Sequence, residues 1–176
     1  MTATGDMTMS ELLAAFPGAQ RALFRNFHIG GCSSCGFRQD ETLAEVCLRN
    51  EGLDPEEVLE KVRLAYEEDQ KLMVSPGELK GLLDAGQVRL LDIRTQEEYD
   101  AVHVEGSIRL TQPLMQEALT WPKDSALVIL DHDGKRALDA VAYFAGHGFT
   151  AIKSLRGGID AWSQEVDPSL PRYTLE

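Results

Sequence analysis

The stretch that decides the fold is ALVILDHDGKR, residues 126–136. It begins with a short apolar run, which is typical of a buried strand in a parallel sheet. A polar turn follows at Asp131–Gly134, and a helical pattern of apolar residues comes next: Leu138, Val141 and Phe144. The order of strand, short loop and helix predicts part of an α/β fold.

A similar apolar run lies before this stretch at residues 88–93, and residues 149–155 after it are a further strand candidate. A helix signal occupies residues 75–86, and the pair Gly157-Gly158 leads into a last helix. Strands that alternate with helices predict a parallel sheet flanked by helices on both faces. We assign residues 71–176 to this α/β domain.

The first part of the chain has a helical pattern throughout, which predicts a small all-α domain over residues 1–70. Thr8 and Glu11 fit a capping box, and Asp54-Pro55 is a helix start signal. We expect a second helix to stop at the pair Gly30-Gly31, because two glycines favour a turn. We expect the charged end of the last helix to connect the two domains.

Composition excludes several classes of function. The chain has 176 residues, of which 43% are hydrophobic and 26% charged, and its formal net charge is -12. These fractions are ordinary for a soluble globular protein, and the excess of carboxylates argues against binding to nucleic acid or to an anionic membrane. The sequence has neither the apolar run of a transmembrane helix nor a basic, apolar leader, so we expect a cytoplasmic protein.

Three motifs in the second domain resemble the signatures of the rhodanese family. They are 90-LLDIR-94 with the following 103-HVEGS-107, the Gly-x-Arg of Gly134 and Arg136, and 155-LRGGIDAW-162. The resemblance covers residues 72–176 and implies a rhodanese-like parallel sheet. It also implies an active loop that follows the central strand, in which a cysteine carries a persulfide sulfur.

Asp131 stands at the place of that cysteine. The resemblance therefore assigns six residues to the active-loop position: Asp131, His132, Asp133, Gly134, Lys135 and Arg136. A carboxylate cannot hold a transferable sulfur, so this domain is not expected to be an ordinary thiosulfate sulfurtransferase. Two interpretations stay open: the Asp131 carboxylate fills the amide nest of the loop as an internal cap, or Lys135 and Arg136 still bind a small oxyanion.

The same loop is also similar to the Asp-x-Asp-Gly motif of haloacid-dehalogenase phosphatases. That interpretation is weak, because too little chain follows Gly134 for the remaining catalytic residues and no later acidic pair follows a strand.

All three cysteines lie in the first domain: Cys32, Cys35 and Cys47. The segment 27-FHIGGCSSC-35 and the Glu-Thr-Leu after it resemble the hybrid-cluster-associated redox disulfide domain, and they share features with the amino-terminal domain of iron–sulfur repair proteins. A Cys-x-x-Cys pair before a helix predicts redox or sulfur-relay chemistry at Cys32 and Cys35.

A second interpretation is that the cysteines bind zinc or an iron–sulfur cluster through Cys32, Cys35 and Cys47. His28 is a candidate fourth ligand, although a histidine beside an aromatic residue is more often packed in a core. For Cys47 alone, the pattern favours a small buried core residue.

Two functional hypotheses follow. In the first, the chain is a sulfur- or redox-relay protein, with a catalytically atypical rhodanese-like domain that docks a protein partner or binds an oxyanion. In the second, both domains are non-enzymatic recognition modules in sulfur or iron–sulfur metabolism. The reactivity of the thiols separates the two, since a relay needs an exposed thiol of low pKa.

Overall fold

The computed structural model describes residues 3–30 and 36–174. The chain divides into two compact units, Met1–Lys71 and Leu72–Glu176. No helix in the described part of the chain is long and apolar enough to cross a membrane.

The first unit is helical where it is described. Its helices are α1 (Met9–Ala15), α2 (Ala19–Phe27), α3 (Leu43–Arg49) and α4 (Pro55–Lys71). Capping boxes begin α1 at Thr8 and α3 at Thr42, because each threonine and the glutamate three residues later satisfy free backbone amides. The apolar faces of the helices meet in one core that includes Leu12, Leu23 and Leu59.

Helix α2 ends earlier than the sequence predicts. The glycine pair was expected to stop it, but Phe27 is its last residue and His28 caps it. His28 takes the left-handed conformation, with φ 59°, and its backbone N–H bonds the carbonyl of Phe24 at 2.9 Å.

The second unit is a parallel sheet with helices on both faces, and this confirms the predicted α/β class. The strands are β1 (Met73–Val74), β2 (Arg89–Asp92), β3 (Ile108–Arg109), β4 (Leu127–Leu130) and β5 (Ile152–Leu155). The helices are α5 (Pro76–Asp84), α6 (Gln96–Ala101), α7 (Gln112–Ala118), α8 (Lys135–Gly146) and α9 (Gly158–Glu165). The strand order is β1-β5-β4-β2-β3, with every pair parallel.

The two faces of the sheet bury separate cores. Val128 and Leu130 pack with Ile159 and Trp162 of α9 on one face. Leu127 and Ile129 pack on the other face with residues of α8: Ala137, Val141 and Phe144. Burial on both faces is the reason that β4 is a continuous apolar run rather than an alternating one.

Candidate functional site

The loop 131–134 connects β4 to α8 at the carboxyl end of the parallel strands. In open α/β sheets this edge is the common place for a ligand site. Asp131 follows the last residue of β4, and Gly134 is the N-cap of α8.

The Asp131 carboxylate occupies the amide nest at the start of α8. Its Oδ1 accepts a hydrogen bond from the backbone N–H of Gly134 at 2.6 Å. Its Oδ2 accepts from the N–H groups of Arg136 at 2.8 Å and Ala137 at 3.1 Å. The residue is only 1% exposed. These amides are donors that the first helical turn leaves unpaired, so the carboxylate satisfies them as an internal anion.

Burial raises the pKa of the Asp131 carboxyl, and the hydrogen bonds from the three backbone amides oppose that rise. The neighbouring Asp133 is partly exposed and forms an ion pair with Lys135 at 2.7 Å. Burial opposes ionisation of Asp133, but the hydrogen bonds from Lys135 outweigh it and lower its pKa. Within the loop, Asp133 and Lys135 thus pair with each other, and the carboxylate of Asp131 occupies the amide nest.

The Gly157-Gly158 turn holds the backbone of the loop. A Cβ on Gly134, which has φ 87°, would lie 2.8 Å from the backbone nitrogen of Gly157. The N–H of Ile159 bonds the carbonyl of Asp131 at 2.9 Å, and the N–H of Asp160 bonds that of His132 at 3.1 Å. Gly134 and the Gly157-Gly158 pair therefore form the same close contact, in which two backbone segments approach with no side chain between them.

His132 and Tyr173 form an aromatic contact on the solvent side of the loop, with ring centroids 4.5 Å apart. A cavity of about 440 Å³ opens beside them and is lined also by Asp160 and Arg172, which form an ion pair at 2.6 Å. The Nδ1 atom of His132 is buried and has no hydrogen-bond partner among the described residues. Sequence analysis missed Tyr173 and Arg172, because only the fold brings them to the loop.

The Asp92–Arg94 pair of the first signature is a buried ion pair. Arg94 is 2% exposed, and its Nη2 lies 2.6 Å from Oδ2 of Asp92. The same guanidinium donates to the carbonyl of Val102 at 2.8 Å and to the hydroxyl of Tyr173 at 2.9 Å. Its role is structural, since it ties β2 to the segment after α6 and to Tyr173.

The predicted thiol site can be placed only in part. Cys32 and Cys35 lie outside the described residues. Cys47 lies on α3 and is fully buried in the core of the first unit, as expected of a small core residue. Burial raises the pKa of its thiol, and the carboxylate of Asp54 adds to the rise. The structure keeps Cys47 in the form that is least suited to nucleophilic attack or metal binding.

His28 is exposed, so the expectation that it packs in a core is wrong. Its position as the left-handed cap of α2 places it at the surface. Within residues 3–30 and 36–174, no group of three His, Cys, Asp or Glu side chains could hold a metal ion. This leaves the metal hypothesis untested, because two of its three cysteines are not among those residues.

Comparisons with known proteins identify the second unit. A family model described as "Rhodanese-like domain" matches residues 75–165. Over 104 residues, or 57% of this chain, the sequence is 33% identical to the "Probable adenylyltransferase/sulfurtransferase MoeZ" of Mycobacterium tuberculosis strain CDC 1551. The match covers only 26% of that relative's length.

A shorter relative is covered more fully. The "Thiosulfate sulfurtransferase GlpE" of Ectopseudomonas mendocina is 31% identical over 90 residues, which are 51% of this chain and 82% of that protein. Among solved structures, the "Human Single Domain Sulfurtranferase TSTD1" has a TM-score of 0.48 and 26% identity, and the match covers 53% of this chain and 96% of that one.

Proposed function

This chain belongs to the rhodanese-like domain family, and from that premise we propose that it is a sulfur- or redox-relay protein whose rhodanese-like unit carries no sulfur itself. The relay chemistry resides on Cys32 and Cys35. The rhodanese-like unit, in this proposal, recognises a protein partner in sulfur or redox metabolism.

The observation that carries the proposal is the position of the Asp131 carboxylate. It accepts three backbone N–H groups at the start of α8, where an active rhodanese loop would hold its persulfide. A carboxylate offers no thiolate to accept sulfur, and it occupies the donors that would stabilise a bound anion. The sequence after Leu72 contains no cysteine that could replace it.

The same geometry disfavours oxyanion binding by the loop. An anion in the nest would need Asp131 to turn aside, which would leave a buried carboxylate without its three hydrogen bonds. Lys135 is already paired with Asp133 at 2.7 Å. The interpretation of Asp131 as an internal cap therefore has the stronger support.

The thiol chemistry is assigned to Cys32 and Cys35 by exclusion of Cys47. A thiolate at one of the pair attacks the outer sulfur of a donor persulfide and becomes a persulfide, while the donor leaves as a thiolate. Attack by the second thiolate on the inner sulfur then closes a disulfide and releases hydrosulfide. Metal binding by all three cysteines fits less well, because the thiol of Cys47 is buried among apolar side chains.

An assay of sulfur transfer from thiosulfate to cyanide tests the claim about the rhodanese-like unit. The parent chain is compared with a variant in which Cys32, Cys35 and Cys47 are all changed to Ser. We expect no transfer by the triple variant. Activity retained in that variant would mean that the loop around Asp131 is catalytic and has been misinterpreted.

A further inference from the structure

A cleft in the first unit lies between α2 and α4. Its volume is about 260 Å³, and its lining includes Arg25 and Asn26 from α2 and Lys61, Leu64 and Ala65 from α4. The cleft takes no part in the chemistry proposed for the cysteines or for the Asp131 loop.

Two cations of this cleft, Arg25 and Lys61, differ from the other basic residues of the first unit. Arg21, Arg38, Arg49 and Lys71 each pair with a carboxylate, and Arg63 donates to the carbonyl of Ala3 at 2.9 Å. Only Arg25 and Lys61 make no hydrogen bond or ion pair with the part of the chain that the structure describes. Acidic residues outnumber basic ones in residues 1–71, and Arg25 and Lys61 are both exposed and line the same cleft.

The spacing of Lys61 makes its lack of a partner more informative. Glu57 lies four residues before it on α4, which is the favourable spacing for an ion pair on a helix, yet no pair forms. Arg25 lies in the last turn of α2, where a cation interacts favourably with the helix dipole. The helix dipole explains why a cation lies at this position, but it leaves the N–H donors of the Arg25 guanidinium available for a ligand.

The acidic side chains of the cleft are already engaged. Glu68 bonds the ammonium of Lys71 at 2.5 Å, and Asp69 bonds the guanidinium of Arg21 at 2.6 Å. The charge left over in the cleft is therefore positive. Beside it lies apolar surface, since Leu64 is 48% exposed although it is a large hydrophobic residue.

We propose that this cleft binds a small oxyanion, a carboxylate or phosphate on a short apolar stem. Arg25 and Lys61 recognise the anionic group, and Leu64 contacts the stem. The volume suits a group of a few heavy atoms rather than a large cofactor. The proposal is independent of the sulfur relay, so its failure would leave the relay intact.

Titration of the ¹⁵N-labelled full chain with three probes tests the proposal. The probes are inorganic phosphate, butyl phosphate and a blocked peptide with a glutamate beside a leucine. We expect butyl phosphate to bind more tightly than inorganic phosphate, with amide shifts in residues 21–26 and 61–69. Binding of the peptide would indicate that the natural ligand is a carboxylate carried by a protein. Binding of butyl phosphate alone would indicate that it is a free small molecule.

Charge-neutral variants give the control. We expect Arg25→Gln and Lys61→Gln each to weaken binding of the tightest probe about three- to fivefold, and the double variant about tenfold or more. Arg38→Gln removes the same charge from the first unit outside the cleft and should change affinity less than twofold. Equal weakening by Arg38→Gln, or no binding of any probe at millimolar concentration, would overturn the proposal. Equal affinities for inorganic and butyl phosphate would overturn the role of Leu64.

Discussion

The guanidinium of Arg94 donates a hydrogen bond to the hydroxyl of Tyr173 at 2.9 Å, and the two residues are 79 positions apart in the chain. The hydroxyl in turn donates to Oε1 of Glu98 at 2.7 Å. Because the ring of Tyr173 also contacts His132, one side chain links the first family signature to the Asp131 loop.

Tyr173→Phe should therefore destabilise the second unit by about 1–2 kcal/mol, since it leaves a donor of Arg94 and an acceptor of Glu98 without their partner. Both tryptophans, Trp121 and Trp162, lie in this unit, so urea unfolding followed by tryptophan fluorescence reports its stability. Tyr143→Phe is the matched control, because Tyr143 is 46% exposed and its hydroxyl has no hydrogen bond within the described residues. Equal stability of the two variants would contradict the linking role.

Removal of the Asp131 carboxylate should empty the nest. We expect Asp131→Ala to cost the second unit about 2 kcal/mol, because three backbone amides lose their acceptor. Sulfate should then restore more stability to this variant than to the parent, since an anion can take the vacated site. The same fluorescence measurement checks both effects.

Asp133→Ala is the control for that experiment. Its carboxylate is partly exposed and serves mainly Lys135, so we expect a loss below about 1 kcal/mol and no specific effect of sulfate. If Asp131→Ala were as stable as the parent and insensitive to sulfate, the carboxylate would not be the cap of α8.

Glu41 should make the segment before α3 sensitive to acid. Hydrogen bonds from Arg49 and from the backbone of Arg38 lower its pKa from 4.5 to about 2. A lowered carboxylate pKa gives stability that is present above about pH 4.5 and is lost as the pH falls toward about 2. Hydrogen exchange of peptides from residues 36–49 should therefore be faster in Glu41→Gln than in the parent at pH 6.

That difference should disappear as the pH approaches 2. Glu60→Gln serves as the comparison, because Glu60 is exposed and makes no hydrogen bond or ion pair in the described part of the chain. A difference between Glu41→Gln and the parent that persisted at pH 2 would mean that the charge of Glu41 is not its source.

Cys47 should react last with an alkylating agent. Its side chain is fully buried and its pKa is raised, so both access and thiolate formation are disfavoured. Brief treatment of the reduced, metal-free protein with iodoacetamide should label Cys32 or Cys35 first, as read by peptide mass analysis. If Cys47 were labelled first, or all three only on unfolding, the recognition-module hypothesis would replace the relay.

Much of the second unit was predictable because its elements follow local rules. Short apolar runs marked β2 and β4, residues 149–155 marked β5 as a strand candidate, and the Ser75 capping box marked α5. The strands β1 and β3 have two residues each, which is too few to show a pattern. They form only because a neighbouring strand pairs with them.

The candidate site also has one part that follows from local sequence and one part that depends on the fold. The cap formed by Asp131 was predictable, since its acceptors and donors lie within six residues of sequence. The contacts of Tyr173 were not, because they depend on how the end of the second unit returns to the sheet. In the first unit, the unpaired state of Lys61 contradicts the local i, i+4 rule and could be seen only in the structure.

The most direct test of the relay is the location of transferred sulfur. The reduced full chain and a Cys32→Ser/Cys35→Ser variant are incubated with a low-molecular-weight persulfide and measured by intact-protein mass spectrometry. We expect the parent to gain the mass of one sulfur atom or, once the second thiol has resolved the persulfide, to lose two hydrogens with release of hydrosulfide, and the double variant, which keeps Cys47, to show neither change. A parent whose mass does not change, or a double variant that gains as much sulfur as the parent, would contradict the relay.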